Sequence, residues 1–237
     1  VPSDVSEWAN LIERLDYFHK PNITKEDRKK TYQYKIRAKF VNKVNDTKNI
    51  NNYLKSLSLK TKLKDLDSST INRASQMLFK TNQFNITLKK FSVSELKTQK
   101  SGEYISKLIS LKDNFGDHGL VCFFTLKFLK KKIVVLDNFV MSCRVFGRFL
   151  EDWVFDKIKE ILNKKKINNL IVFHDINEKN KPVRDFFDRL NIKEEKKNVS
   201  KIFLNKIHMK SKKNIKVYNI NIHKITFKNA NLYNVKK

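Results

Sequence analysis

Three apolar-rich segments, residues 104–111, 120–128 and 133–141, follow one another with only short turns between them. Gly116 and Gly119 mark the first turn, and Lys130, Lys131 and Lys132 the second. Such runs bounded by turn residues read as strands, and connections this short join antiparallel neighbours. The chain must therefore build around an antiparallel meander. Beyond it, residues 149–164 carry a helical stripe of Leu150, Val154, Ile158, Ile161 and Leu162. Residues 170–173 form a short, fully apolar strand, and Pro182 opens another helix with Val183, Phe186, Phe187 and Leu190 inward. Residues 202–207 and 215–225 alternate as final strands. A meander followed by a strand–helix–strand unit predicts an α/β (α+β) fold: a mixed, mostly antiparallel sheet flanked by helices.

Upstream, residues 59–63 alternate as a short strand, and Asp67 or Ser68 can cap a helix bearing Ile71, Ala74, Met77 and Leu78. A short helix is expected near residues 94–98. Two further helices precede this region. The first starts at Ser3 or Asp4 and shows Val5, Trp8, Leu11, Ile12 and Leu15 at helical spacing, until Pro21 and Asn22 break it. The second has Thr24 as N-cap and Asp27 at the capping-box position, and continues through Tyr32, Ile36 and Phe40.

The net charge of +27 raises nucleic acid as a partner. Only 8 of the 51 basic residues are arginine, the residue of bidentate recognition, and the lysines are dispersed. Solvated lysine, or attraction to an acidic protein, is the expectation instead. Two cysteines, Cys122 and Cys143, make no disulfide framework and suit a reducing compartment. No apolar run approaches the roughly 20 residues of a membrane helix, and no signal peptide is visible, so a cytoplasmic location is expected. The histidines and cysteines show no metal-ligand spacing, so no metal is expected.

The segment Met141-Ser-Cys-Arg-Val-Phe-Gly-Arg148 joins a strand to an amphipathic helix. A turn of this kind suits an anion, because backbone N–H groups at the helix start face it and the dipole favours negative charge. Arg144 and Arg148 add positive charge, and Gly147 permits close approach. Cys143 precedes this turn as a candidate nucleophile, in surroundings that favour a thiolate. Cys122 lies within an apolar strand and reads as core. His118 is a candidate base, and His174 could orient a substrate.

Four motifs in order resemble the C-terminal half of the FkbH-like proteins, the HAD-superfamily subfamily IIIC phosphatases. They are Lys80-Thr-Asn-Gln-Phe-Asn-Ile-Thr87, Phe115-Gly-Asp-His-Gly-Leu-Val121, the 141–148 segment and Asn180-Lys-Pro-Val-Arg-Asp-Phe-Phe187. The resemblance implies a GNAT-like acyltransferase fold over residues 59–207. Residues 1–44 would be the end of a HAD-like domain, 45–58 a linker with a helix, and 208–237 a basic C-terminal strand and tail. It implies transfer of a short acyl or glyceryl unit to or from the phosphopantetheine thiol of an acyl carrier protein, with a HAD-like domain in cis as a further partner. Simple acyl-CoA-dependent N-acetylation of a sugar amine and non-catalytic docking on a carrier protein are the alternatives.

On this resemblance, Arg144, Val145, Phe146, Gly147 and Arg148 form the pyrophosphate turn for coenzyme A or carrier-bound phosphopantetheine. Thr81, Asn82, Gln83, Asn85, His174 and Asn180 become substrate-side residues. Three positions depart from the pattern. Phe149 replaces a small residue, Phe187 replaces the tyrosine that is often the general acid, and Asn191 replaces a glycine. Asp65-Leu-Asp67-Ser-Ser69 imitates the spacing of the phosphatase motif without its hydrophobic strand and reads as a helix-cap cluster, so phosphatase activity is not expected.

Overall fold

The computed structural model describes residues 2–14, 30–47, 49–99, 102–129, 133–195 and 214–234. The expected Thr24 cap, the lysine turn at 130–132 and the strand at 202–207 lie outside the described residues. The chain divides into two units, Val1–Asn42 and Lys43–Lys237. In the first, Asp4 accepts a hydrogen bond from the Ser6 amide (2.8 Å) and starts a turn that leads into α1, Trp8–Arg14. Helix α2, Lys30–Asn45, begins in this unit.

The second unit is built on six strands in sequential order, β1 to β6. Helix α3, Ile50–Ser56, leads into β1, Lys60–Asp65, and then α4, Ile71–Lys80, and α5, Val93–Lys97. The meander is β2, Tyr104–Asp113, β3, Gly116–Leu129, and β4, Ile133–Met141. Helix α6, Leu150–Lys164, crosses to β5, Asn169–Asp175, which pairs with β4 in parallel. Helix α7, Lys181–Arg189, and β6, Ile215–Asn221, complete the order. All other pairings are antiparallel.

The two faces are covered by different helices. Ile71, Ala74, Met77 and Leu78 of α4 pack with Leu96 of α5 on Leu108, Phe123 and Val140. This is the stripe expected for α4, and Ser92 with Glu95 closes a capping box at α5. Asp67 forms a tight turn, accepting from the Ser69 and Thr70 amides, just ahead of the Thr70 cap. On the other face, Phe155 of α6 meets Phe139 of β4 at 5.7 Å and Phe186 of α7 at 4.8 Å.

Two boundaries differ from the sequence expectation. The β2–β3 turn is Asn114-Phe115, and Gly116 and Gly119, at φ 135° and 66°, lie inside β3, where His118 and Val121 are the extra residues at its two register shifts. Residues 50–56 dock on this hairpin, with Asn114 donating to the Ser56 and Leu57 carbonyls. The last strand, expected over 215–225, ends at Asn221 as β6, and the segment after it is a strap. There Phe227 meets Phe155 at 5.8 Å and Tyr233 meets Trp153 at 6.1 Å.

The strap ends by clasping β1. Asn234 donates from its amide to the Leu59 carbonyl and accepts from the Thr61 amide, each at 2.8 Å. Asn234 is left-handed (φ 56°), a conformation that asparagine tolerates and alanine does not. Asn234→Ala should cost about 1–3 kcal/mol in urea unfolding, through lost hydrogen bonds and backbone strain. Asn234→Gly should cost less, because it keeps the backbone conformation. Equal losses would show that the conformation carries no weight.

Candidate active site at the end of the parallel strands

Strands β4 and β5 pair only over Val134–Leu136 and Leu170–Val172. The cause lies in β4. Thr125 faces Asn138 and Leu126 faces Leu136, so Asp137 is a bulged extra residue. A bulge bends its strand and re-aims the residues beyond it, and β4 leaves β5 from this point on. The gap opens at the carboxyl ends of two parallel strands, the usual place for a ligand in an open α/β sheet.

The gap is filled by the chain itself. Residues 84–87 lie between the diverging strands. The Ile86 amide donates to the Phe139 carbonyl (3.1 Å) and the Met141 amide to the Phe84 carbonyl (3.0 Å). On the other side, the Asp175 amide donates to the Ile86 carbonyl (2.9 Å). The Thr87 hydroxyl donates to the Asp137 carbonyl, Lys89 pairs with the Asp137 carboxylate, and the Asn138 amide donates to the Lys89 carbonyl. The motif at 80–87, expected as a substrate loop, is thus largely a seam in the sheet.

Its residues separate accordingly. Asn85 is buried and turns its amide back on Thr81 O and Leu88 N. Asn180 is also buried, and its amide ties Asp175 O (2.7 Å) to Asn85 O (3.4 Å). His174 is buried beside them, 5.9 Å from Phe187 and 6.4 Å from Tyr218 between ring centres. Burial holds His174 down to about 4, and it is neutral at pH 7. Neither ring nitrogen has a hydrogen bond of good geometry, although the Asn180 amide is near enough to favour the protonated form. Thr81 is half-buried at the end of α4, and Asn82 and Gln83 are exposed. The structure brings Asn85, His174 and Asn180 together, but inside the fold.

The turn after β4 holds Cys143, Arg144 and Val145 in one helical turn, and Gly147 is exposed at φ 84°. Phe146 packs on Phe84 at 6.1 Å between ring centres, which puts this turn beside the loop of Asn82 and Gln83. Cys143 is half-buried and not in a disulfide, whereas Cys122 is fully buried, its thiol pushed up by desolvation.

The two arginines do not face solvent as an anion site requires. Arg148 is fully buried and donates from Nε to Asp113 (2.8 Å), while His118 Nε2 lies 3.0 Å from the other Asp113 oxygen. Burial alone would raise the Asp113 carboxyl, but His118 and Arg148 outweigh it and hold it below the usual range. His118 is thereby committed inside the fold rather than presented as a base. Arg144 donates to the His118 and Leu120 carbonyls at 2.7 and 3.1 Å. The Val145 and Phe146 amides are used within the turn, on Ser142 and Cys143.

The start of α6 is also acidic. Glu151 and Asp152 occupy its first turn and hold Arg189, which lies 4.9 Å from the Phe149 ring centre. Phe149 itself is left-handed (φ 55°), which explains why a small residue suits this position. The residues present therefore do not fit the pyrophosphate of coenzyme A: the cations are committed, and carboxylates hold the helix start.

Sequence reasoning missed Asp113, Asp137 and Tyr218. Tyr218 stacks on Phe187 at 4.4 Å, where the expected tyrosine is absent, and burial pushes its hydroxyl up to about 12. Only the register of β6 brings it there. A groove of about 1020 Å³ between Leu66, Leu96, Ile105 and Ile161 lies at the opposite end of the sheet and contains none of the expected site residues. Among the described residues, no cluster of three His, Cys, Asp or Glu could hold a metal, and no helix is long and apolar enough to cross a membrane.

The buried ionisable groups make this arrangement testable. Arg148→Met strands the buried Asp113 carboxylate and should cost about 3–5 kcal/mol in urea unfolding; a loss of under about 1 kcal/mol would contradict the pair. Glu151 and His174 act in opposite senses on the pH dependence. Burial raises Glu151 from 4.5 to about 7. The folded state therefore holds the extra proton between those values, and this contribution to stability falls as pH rises. His174 is lowered from 6.5 to about 4, so its contribution falls as pH drops through that range. Relative to wild type, Glu151→Gln should gain stability as pH rises from 4.5 to about 7. His174→Gln should gain as pH falls from 6.5 to about 4. Stability differences that do not vary with pH would contradict both assignments.

Comparison with known proteins rests on structure. The sequence matches no family model and no curated protein. A GNAT-family acetyltransferase from Staphylococcus aureus Mu50 superposes with TM-score 0.50 at 12% identity, covering 68% of this chain and 99% of that chain. A domain from Methanocaldococcus jannaschii DSM 2661 gives TM-score 0.50 at 13% identity, over 69% and 99%. The spermidine N-acetyltransferase of Vibrio cholerae, in complex with CoA and spermine, is similar at TM-score 0.48 and 14% identity, over 70% and 97%. This chain has the mixed α/β fold of the GNAT acetyltransferases, as the sequence led us to expect.

Proposed function

We propose that this chain is an acyltransferase domain that exchanges a short acyl or glyceryl group with the phosphopantetheine thiol of an acyl carrier protein. The observation that carries this reading is the position of Cys143, half-buried in the turn directly after β4, beside exposed Gly147. The Cys143 sulfur attacks the carbonyl carbon of the carrier thioester. The carbon–sulfur bond to the carrier arm breaks, and the carrier thiol leaves with the proton that Cys143 gave up. The acceptor's nucleophile then takes the acyl group and restores the Cys143 thiol. An acidic carrier would be drawn to a chain of net charge +27. In this reading a HAD-like domain acts in cis, and the chain works in the cytoplasm.

The committed arginines and the acidic first turn of α6 give less support to acyl-CoA-dependent N-acetylation. The link to the FkbH-like proteins rests on the four motifs.

Mass spectrometry after incubation with an acyl-loaded carrier protein is the direct test. A mass shift of one acyl group mapped to Cys143, absent in Cys143→Ala, is expected. Transfer at the same rate in Cys143→Ala would sink the covalent step. Carrier binding without any transfer would favour a docking domain.

A further inference from the structure

The bulge at Asp137 leaves backbone groups of Phe139, Met141 and Asp175 without a neighbouring strand. Two such edges invite an extended chain with alternating amides to add between them. The pantetheine arm of coenzyme A, with its two amides, has that form. Here the position is taken. Residues 84–87 use those three groups, and four neighbouring contacts hold them there: Thr87 and Lys89 on Asp137, Asn138 on Lys89, and Asn180 on Asn85. Phe84, Asn85, Ile86 and Thr87 are each at most 4% exposed. An arm entering between β4 and β5 would have to expel this segment and leave its buried polar groups unsatisfied.

We infer that residues 84–87 are a specificity-determining seam. They deny an extended thiol arm, free coenzyme A included, the space between β4 and β5, so that a donor thioester meets Cys143 at the solvent-facing turn beside Asn82 and Gln83. The route to Cys143 rests on the acyl-transfer reading; the closed seam does not. The seam also explains the polar knot of Asn85, His174 and Asn180, which pins the segment to β5.

Hydrogen exchange followed by NMR, on the whole chain with and without millimolar coenzyme A, tests the seam. The amides of Ile86, Met141 and Asp175 should exchange within about tenfold of the β3–β4 core amides, unchanged by coenzyme A. Calorimetry should show no binding below millimolar concentration. Exchange about 100-fold faster at these three amides, loss of their protection on adding coenzyme A, or micromolar binding would overturn the inference. These readouts do not involve acyl transfer. A protected seam with no adduct on Cys143 would remove the proposed function alone.

Discussion

One bulged residue governs the working end of this fold. Asp137 bends β4 away from β5 and opens a gap in what would otherwise be a continuous sheet. Buried backbone groups in that gap need partners, each costing about 1–3 kcal/mol if left without one. The chain meets the need with its own residues 84–87, and the bulge supplies the means. The Asp137 carbonyl takes the Thr87 hydroxyl, and its carboxylate takes Lys89. Burial lowers the Lys89 ammonium while Asp137 opposes the shift, so the pair holds because each charge compensates the other.

A second buried cluster sets the turn where Cys143 stands. Asp113, at the end of β2, receives Arg148 from just ahead of α6, with His118 of β3 against its other oxygen. The strap reinforces this from outside, with the Tyr233 hydroxyl on the Arg148 carbonyl and Asn229 on Asp152. The geometry of the cysteine turn therefore depends on residues from β2, β3, α6 and the strap. The arginines that resemble an anion site position this turn rather than line it.

Much of the architecture was legible in the sequence. The β4 limits follow from an apolar-rich run bounded by turns, and the stripe of α4 and the crossover helix follow from periodicity, because each helix buries one face on the sheet. The site was less legible. Arg144, Arg148 and Asn180 have the chemistry of ligand contacts, and periodicity says nothing about whether a polar group meets a ligand or a buried backbone partner. That depends on long-range pairs such as Arg148 with Asp113 or Asn180 with Asn85. The bulge at Asp137 coincides with the polar pair Asp137-Asn138 in the apolar run of β4, but a strand buried on both faces shows no alternation whose slip would reveal an extra residue. Phe149 is an exception, because its departure from a small residue does mark a left-handed position.

Cys143, in this account, is reached from the solvent-facing turn by a tethered thiol arm and not through the sheet. A carrier protein whose pantetheine arm ends in a chloroacetyl group would alkylate a thiol within reach, and peptide mapping would locate the bond. The account predicts a cross-link at Cys143, with a coenzyme A derivative bearing the same group reacting no faster than with a small cysteine peptide. Labelling of Cys143 by the coenzyme A derivative ahead of the carrier, or a carrier cross-link elsewhere in the chain, would contradict it.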